Sequence, residues 1–64
     1  MIIHSEILAC AFWKDQNNDL CSAPLFVDGT VDDDNMLYVE DWQAMDEMSI
    51  EQHQELDKII KIFS

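Results

Sequence analysis

The 64-residue chain sets fourteen Asp and Glu against three Lys and no Arg, for a formal net charge of −11. That sign excludes nucleic acids and anionic membranes as direct partners unless a metal intervenes, and it favours cationic proteins. The length allows one domain, residues 1–64, that buries only about 60% of its unfolded surface, while 48% hydrophobic and 9% aromatic content is too rich for a disordered acidic tail.

Residues 2–13 form the most apolar segment. Extended, they place Ile3, Ile7, Ala9, Ala11 and Trp13 on one face and Leu8, Cys10 and Phe12 on the other, as in a strand covered on both sides towards its end. A helix capped by Ser5 is the rival. The strand is preferred because the polar cluster Lys14 to Asp19 supplies hairpin-turn residues and a second apolar run, Leu20 to Val27, follows it. Pro24 interrupts that run and cannot donate to a ladder, so the second strand is expected at an edge or starting late, at Leu25 to Val27. Asp28 and Gly29 mark a tight turn. After the acidic loop Asp32, Asp33, Asp34, the residues Met36 to Val39 read as a third short strand.

From Asp41 the period changes. Asp41 is placed to cap a short helical turn bearing Trp42 and Met45. Ser49 and Gln52 fit a capping box, and a helix to about Phe63 then carries Leu56, Ile59, Ile60 and Phe63 at the spacing of a buried stripe. The expected fold is α+β: a small antiparallel sheet of about three strands with the C-terminal helix packed on one face. Cys10 and Cys21 are read as free buried thiols, because nothing points to an oxidising compartment. No basic n-region precedes Ile2 and Ile3, and no apolar run nears the roughly 18 residues of a membrane span, so a cytoplasmic location is expected.

Chemistry has little to build on. The two cysteines and two histidines have no nucleophile–base spacing, and His4 and His53 read as solvated side chains, so an enzyme is not expected. A calcium loop counted from Asp28 meets Asp33 where glycine is required and Val39 where a bidentate Glu is required. No metal or cofactor is expected.

What stands out is charge placement. From Asp15 to Asp57 there are thirteen carboxylates and no cation. Neutral drift towards solubility intersperses both signs, and an unbroken anionic run works against compaction. A 64-residue domain has a diameter near ~28 Å, a length over which duplex DNA presents roughly 16 phosphate charges. In size, charge and charge placement the chain resembles the phage-encoded DNA-mimic inhibitors of anti-restriction and anti-CRISPR type. The resemblance implies an inhibitor that occupies the DNA-binding groove of a defence or host nucleic-acid-binding protein, in the cytoplasm of a bacterial host. It rests on no residue motif and carries over no residue roles.

On this reading Asp28, Asp32, Asp33, Asp34, Glu40, Asp41, Asp46, Glu47, Glu51 and Glu55 stand in for phosphates, with Trp42 as an apolar anchor. The alternative is an acidic protein–protein interaction module that relies on an aromatic anchor, drawn from Tyr38, Trp42, Met45 and Met48, without imitating DNA. The plain alternatives are a solvated acidic surface and aromatics that close the core, with Tyr38 the more core-like of the two rings and Trp42 evenly balanced.

Overall fold

A computed structural model describes residues 1–42 and 47–64. The fold is a four-stranded antiparallel sheet with a C-terminal helix. Strand order follows chain order, β1 (Ile3–Ser5), β2 (Cys10–Lys14), β3 (Leu20–Pro24) and β4 (Leu37–Tyr38), and then come the short helix α1 (Val39–Trp42) and the long helix α2 (Ile50–Phe63).

The expected first strand is in fact a hairpin. Residues 6–9 form a turn, and Ile3, His4 and Ser5 pair with Phe12, Ala11 and Cys10. Ser5 makes this turn possible. Its buried Oγ accepts the Leu8 N–H at 3.2 Å and donates to Glu55 Oε2 at 3.0 Å. The hydroxyl thus caps a single turn, as an N-cap does, without a helix following. No Gly or Pro flags the reversal; Ala9 takes the left-handed conformation instead, at φ 54°, a strain of about 1 kcal/mol for a non-glycine residue.

The β2–β3 hairpin lies where the polar cluster predicts. Asp15 Oδ1 accepts the N–H groups of Asn17 and Asp19, each at 2.9 Å, and Asn18 takes the positive φ of 66°. The second apolar run requires a correction: β3 starts at Leu20 and ends with Pro24, and it lies between β2 and β4, so it is neither an edge strand nor a late starter. Leu25 N–H donates to Ala9 C=O at 3.0 Å, so in the alternating antiparallel pattern the neighbouring Cys10–Pro24 pair needs no N–H directed at β2. Proline is therefore tolerated at the strand's end. Phe26 and Val27 lie exposed in the turn that Gly29 closes at φ 87°. β4 is also shorter than Met36 to Val39, because Val39 already opens α1; Asp41 sits inside that helix rather than capping it.

α2 keeps its expected form. Ser49 Oγ accepts the Gln52 N–H at 3.1 Å while Gln52 Oε1 accepts the Ser49 N–H at 2.9 Å, completing the capping box. Leu56 and Ile59 are buried against Leu8, Cys10, Phe12 and Val39, with Ile60 and Phe63 half-buried beside them. Each fully buried aliphatic side chain there contributes roughly 1.5–3 kcal/mol. The second face of the sheet carries small residues, Ala11, Cys21 and Ala23, which are all but inaccessible. The segment between β3 and β4 folds back on this side, bringing Val31 and Asp33 beside Trp13. Cys10 and Cys21 are both free and buried. Among the described residues, no helix is long and apolar enough to cross a membrane.

One buried hydroxyl ties three elements together. Ser22 Oγ on β3 accepts the Trp42 Nε1–H of α1 at 2.8 Å and donates to the Leu37 carbonyl of β4 at 3.0 Å. The Trp42 ring packs on Phe12 with centroids 5.8 Å apart and planes inclined at 55°. Replacing Ser22 by Ala leaves the indole N–H without this acceptor, and a loss of about 1–3 kcal/mol is expected. Chemical denaturation of Ser22→Ala measures it, with Ser22→Thr retaining most of the stability.

Candidate functional site

The acids nominated from the sequence do not share one face. Asp28 lies in the turn beyond Pro24, where its Oδ1 accepts Thr30 Oγ1–H at 2.7 Å and Thr30 N–H at 3.0 Å. Those two bonds, the hydroxyl's first, hold its carboxyl below the usual range. Asp28 is thus engaged in local turn structure. Glu51 and Glu55 lie on α2, and Glu55 is half-buried and held by Ser5. Glu47 is exposed just before α2. Asp46 and Met45 lie outside the described residues.

Five of the nominated acids do come together along the chain around the edge strand β4. Asp32, Asp33 and Asp34 precede it, with Asp33–Asn35 wound into a 3₁₀ turn whose start is tied by Asn35 Nδ2–H to Asp32 Oδ2 at 2.7 Å. Glu40 and Asp41, both exposed, follow it on α1. Asp33 and Asp34 are exposed as well.

Two acids omitted from the nominated set belong with them. Asp15 and Asp19 hold the β2–β3 turn, and the register that pairs Cys21 with Tyr38 sets this turn beside the end of β4. Their effect is felt at Tyr38: the charge of Asp15, then desolvation, then Cys21, Asp19 and Glu40 push its hydroxyl above the usual tyrosine value. The signal was present in the sequence as an Asp at each end of a Gln-Asn-Asn turn, but only the β3–β4 pairing brings that turn to this edge.

The balance struck for Trp42 resolves towards the core, and the expectation for Tyr38 is corrected. Trp42 is half-buried, with its ring on Phe12 and its N–H bonded to Ser22, so the indole is committed to the fold and is not a free anchor. Tyr38, expected to be mostly core, is 40% exposed among the acids. Beside it a shallow groove of about 180 Å³ is lined by Asp19, Leu20, Tyr38, Val39, Glu40 and Ile60.

Two of the three lysines lie elsewhere, and Lys14 shares a groove with Asp33 of the edge set. Lys58 and Lys61 line a hollow on the outer side of α2 with Gln54, Asp57 and Ile62, and Lys14 lines a groove with Met1, Ile2, Trp13, Val31 and Asp33. Burial raises the Cys10 thiol, and burial followed by the charges of Asp15 and Asp19 raises the Cys21 thiol, which makes both poor nucleophiles at neutral pH. Among the described residues, no three His, Cys, Asp or Glu side chains converge to hold a metal ion. No family model, curated protein or solved structure matches the chain.

Tyr38 is the only tyrosine, so its titration can be followed in the ultraviolet without interference from another phenol. The fold favours the neutral phenol. Its contribution to stability is therefore complete below the unfolded tyrosine value of about 10 and is lost as pH rises through the folded midpoint. Asp15→Asn removes the leading charge yet keeps an oxygen for the two turn hydrogen bonds, so the midpoint is expected to fall towards the ordinary value. Asp57→Asn, on the α2 layer, is expected to leave it in place.

Proposed function

We propose that this chain is a binding protein that presents an anionic edge to a Lys- and Arg-lined groove of a nucleic-acid-binding protein and blocks that groove by occupancy. Asp15, Asp19, Asp32, Asp33, Asp34, Glu40 and Asp41 around β4 are the phosphate surrogates. The supporting observation is the clustering of carboxylates at both ends of one short edge strand, beside a turn that adds two more. At most three of the fourteen acids can be neutralised by lysines of the same chain. The long dimension of the molecule, 29 Å, equals the span of roughly 17 duplex phosphate charges. No catalytic step and no cofactor enter this reading, and the expected setting is a stoichiometric inhibitor of anti-restriction or anti-CRISPR type.

A second reading has a specific observation behind it. Tyr38 is exposed among acids, as an aromatic anchor at a protein interface would be, so an acidic interaction module without DNA mimicry remains the competing account, with Tyr38 in place of Trp42.

Affinity and competition separate the two. Immobilised protein incubated with a bacterial lysate at about 50 mM salt is expected to retain nucleic-acid-binding proteins, to release them at about 200 mM salt, and to lose them to added duplex DNA. Asp33→Lys with Asp34→Lys is expected to abolish retention while the melting temperature holds or rises, since both side chains are exposed and self-repulsion falls. Retention that resists both salt and duplex DNA, and fails in Tyr38→Ala, contradicts mimicry and supports the anchor account.

A further inference from the structure

The sheet has two open edges, β1 and β4, and they differ in charge. β4 has acids before and after it, whereas residues 1–5 along β1 hold none, and Glu6 is the single acid among residues 1–13. The pairing pattern fixes which backbone groups β1 leaves open. Leu25 N–H reaches Ala9 C=O around the Cys10–Pro24 pair, so Cys10 and Phe12 direct their N–H and C=O groups at β1, where Ser5 and Ile3 meet them. His4, opposite Ala11, therefore turns both of its backbone groups outward, and the same alternation carries to Ile2. Among the described residues, no backbone hydrogen bond from outside the sheet reaches either one, and both side chains are exposed. We infer that this edge pairs with β1 of a second copy of the chain, antiparallel about a two-fold axis through Ile3, so that two four-stranded sheets become one. The inference does not depend on the reading that the chain binds a cationic partner.

Hydrogen bonding sets the register. With Ile3 facing its own copy, the outward groups of Ile2 meet those of the second copy's His4 and the reverse, so all of them are used and the interface is the same on both sides. Moving the axis to His4 would set Ile2 against Glu6, which has already left the strand for the turn. The two Ile3 side chains, each half-buried against the core, meet on one face, and Ile2 lies beside the second copy's His4 on the other.

Charge selects the occupant. A strand of a cationic partner would find no carboxylate along residues 1–5 to receive it. Two chains of −11 each repel one another through β4, but joined at β1 they hold their β4 strands roughly 34 Å apart at the usual strand spacing, several times the Debye length of about 8 Å at physiological ionic strength. Residues 1–5 also lack the Lys, Pro or acid that guards an edge against pairing. The strand is short, so the contact is small and the dimer a weak one that forms by mass action.

The test is sedimentation equilibrium of the whole chain from micromolar to millimolar concentration, at low and at physiological salt. A monomer–dimer equilibrium is expected, tighter at physiological salt because screening relieves the repulsion of two anions. That dependence is opposite to the one expected for a cationic partner, so either reading can fail without the other. His4→Pro removes only an outward N–H, which an edge strand tolerates, and is expected to weaken the dimer about tenfold. Ile3→Cys supplies a second measurement. Facing cysteines of a non-hydrogen-bonded pair lie within disulfide reach, so this variant is expected to crosslink to its own copy in oxidised glutathione faster than Ile2→Cys, while the native chain, whose thiols are buried, does not. A chain that stays monomeric at millimolar concentration and both salts overturns the proposal, as does a dimer that His4→Pro leaves unchanged. A monomer whose His4 amide is protected from exchange only when a protein retained from the lysate is added gives the edge to a foreign strand and also overturns it.

Discussion

The hydroxyl of Ser22 is the constraint on which the geometry of the acidic edge depends. It is 1% exposed and joins β3, the carbonyl of Leu37 and the indole of Trp42. β4 is only two residues long, too short for its ladder alone to fix it. The Ser22 bonds hold its carbonyl from one side, and the Phe12–Trp42 contact holds the helix that follows from the other. Asp32 to Asp34 and Glu40 to Asp41 are consequently carried at set positions before and after a pinned strand. A surface meant to be read by another protein needs that fixity, because ordering flexible side chains on binding costs free energy.

The same arrangement resolves the conflict between charge and compaction. Apolar contacts between α2 and the sheet supply the cohesion, and most of the described carboxylates, Glu55 with its bond from Ser5 aside, lie at turns and outer surfaces where water screens them. Acids at both ends of β4 also discourage another chain from pairing with the open edge, a hazard for any sheet with unpaired N–H and C=O groups. Edge protection and partner recognition therefore draw on the same residues. Protection alone would not call for Asp15 and Asp19 beside an exposed tyrosine, and this excess is what gives the functional reading its weight.

Much of the fold was legible because its signals were local. The capping box of Ser49 and Gln52, the Leu56–Ile59 stripe and the Asp15–Asp19 turn each depend on a few neighbouring residues, and each forms as read. The reversal at residues 6–9 was hidden because Ala9, not glycine, takes the left-handed conformation and the turn is secured by a Ser5 bond to Glu55, fifty residues away. The late start assigned to β3 came from treating Pro24 as a barrier to pairing, whereas only the direction of its missing N–H matters. The candidate site was half legible: charge content is a property of composition, but which acids meet is a property of strand pairing. Trp42, evenly balanced between core and anchor in the sequence, turns inward for that reason, since its Ser22 acceptor lies on β3, twenty residues away, and Tyr38 proves exposed where core was expected.

The account holds that negative potential is concentrated along the β4 edge and is weaker over the outer surface of α2, where Lys58 and Lys61 lie. Paramagnetic relaxation of backbone amides by a cationic and an anionic nitroxide of matched size measures local potential residue by residue. A cation-to-anion enhancement ratio markedly higher at Asp19, Tyr38 and Glu40 than at Lys58 and Lys61 is the predicted result. An equal ratio around the whole molecule would contradict the account.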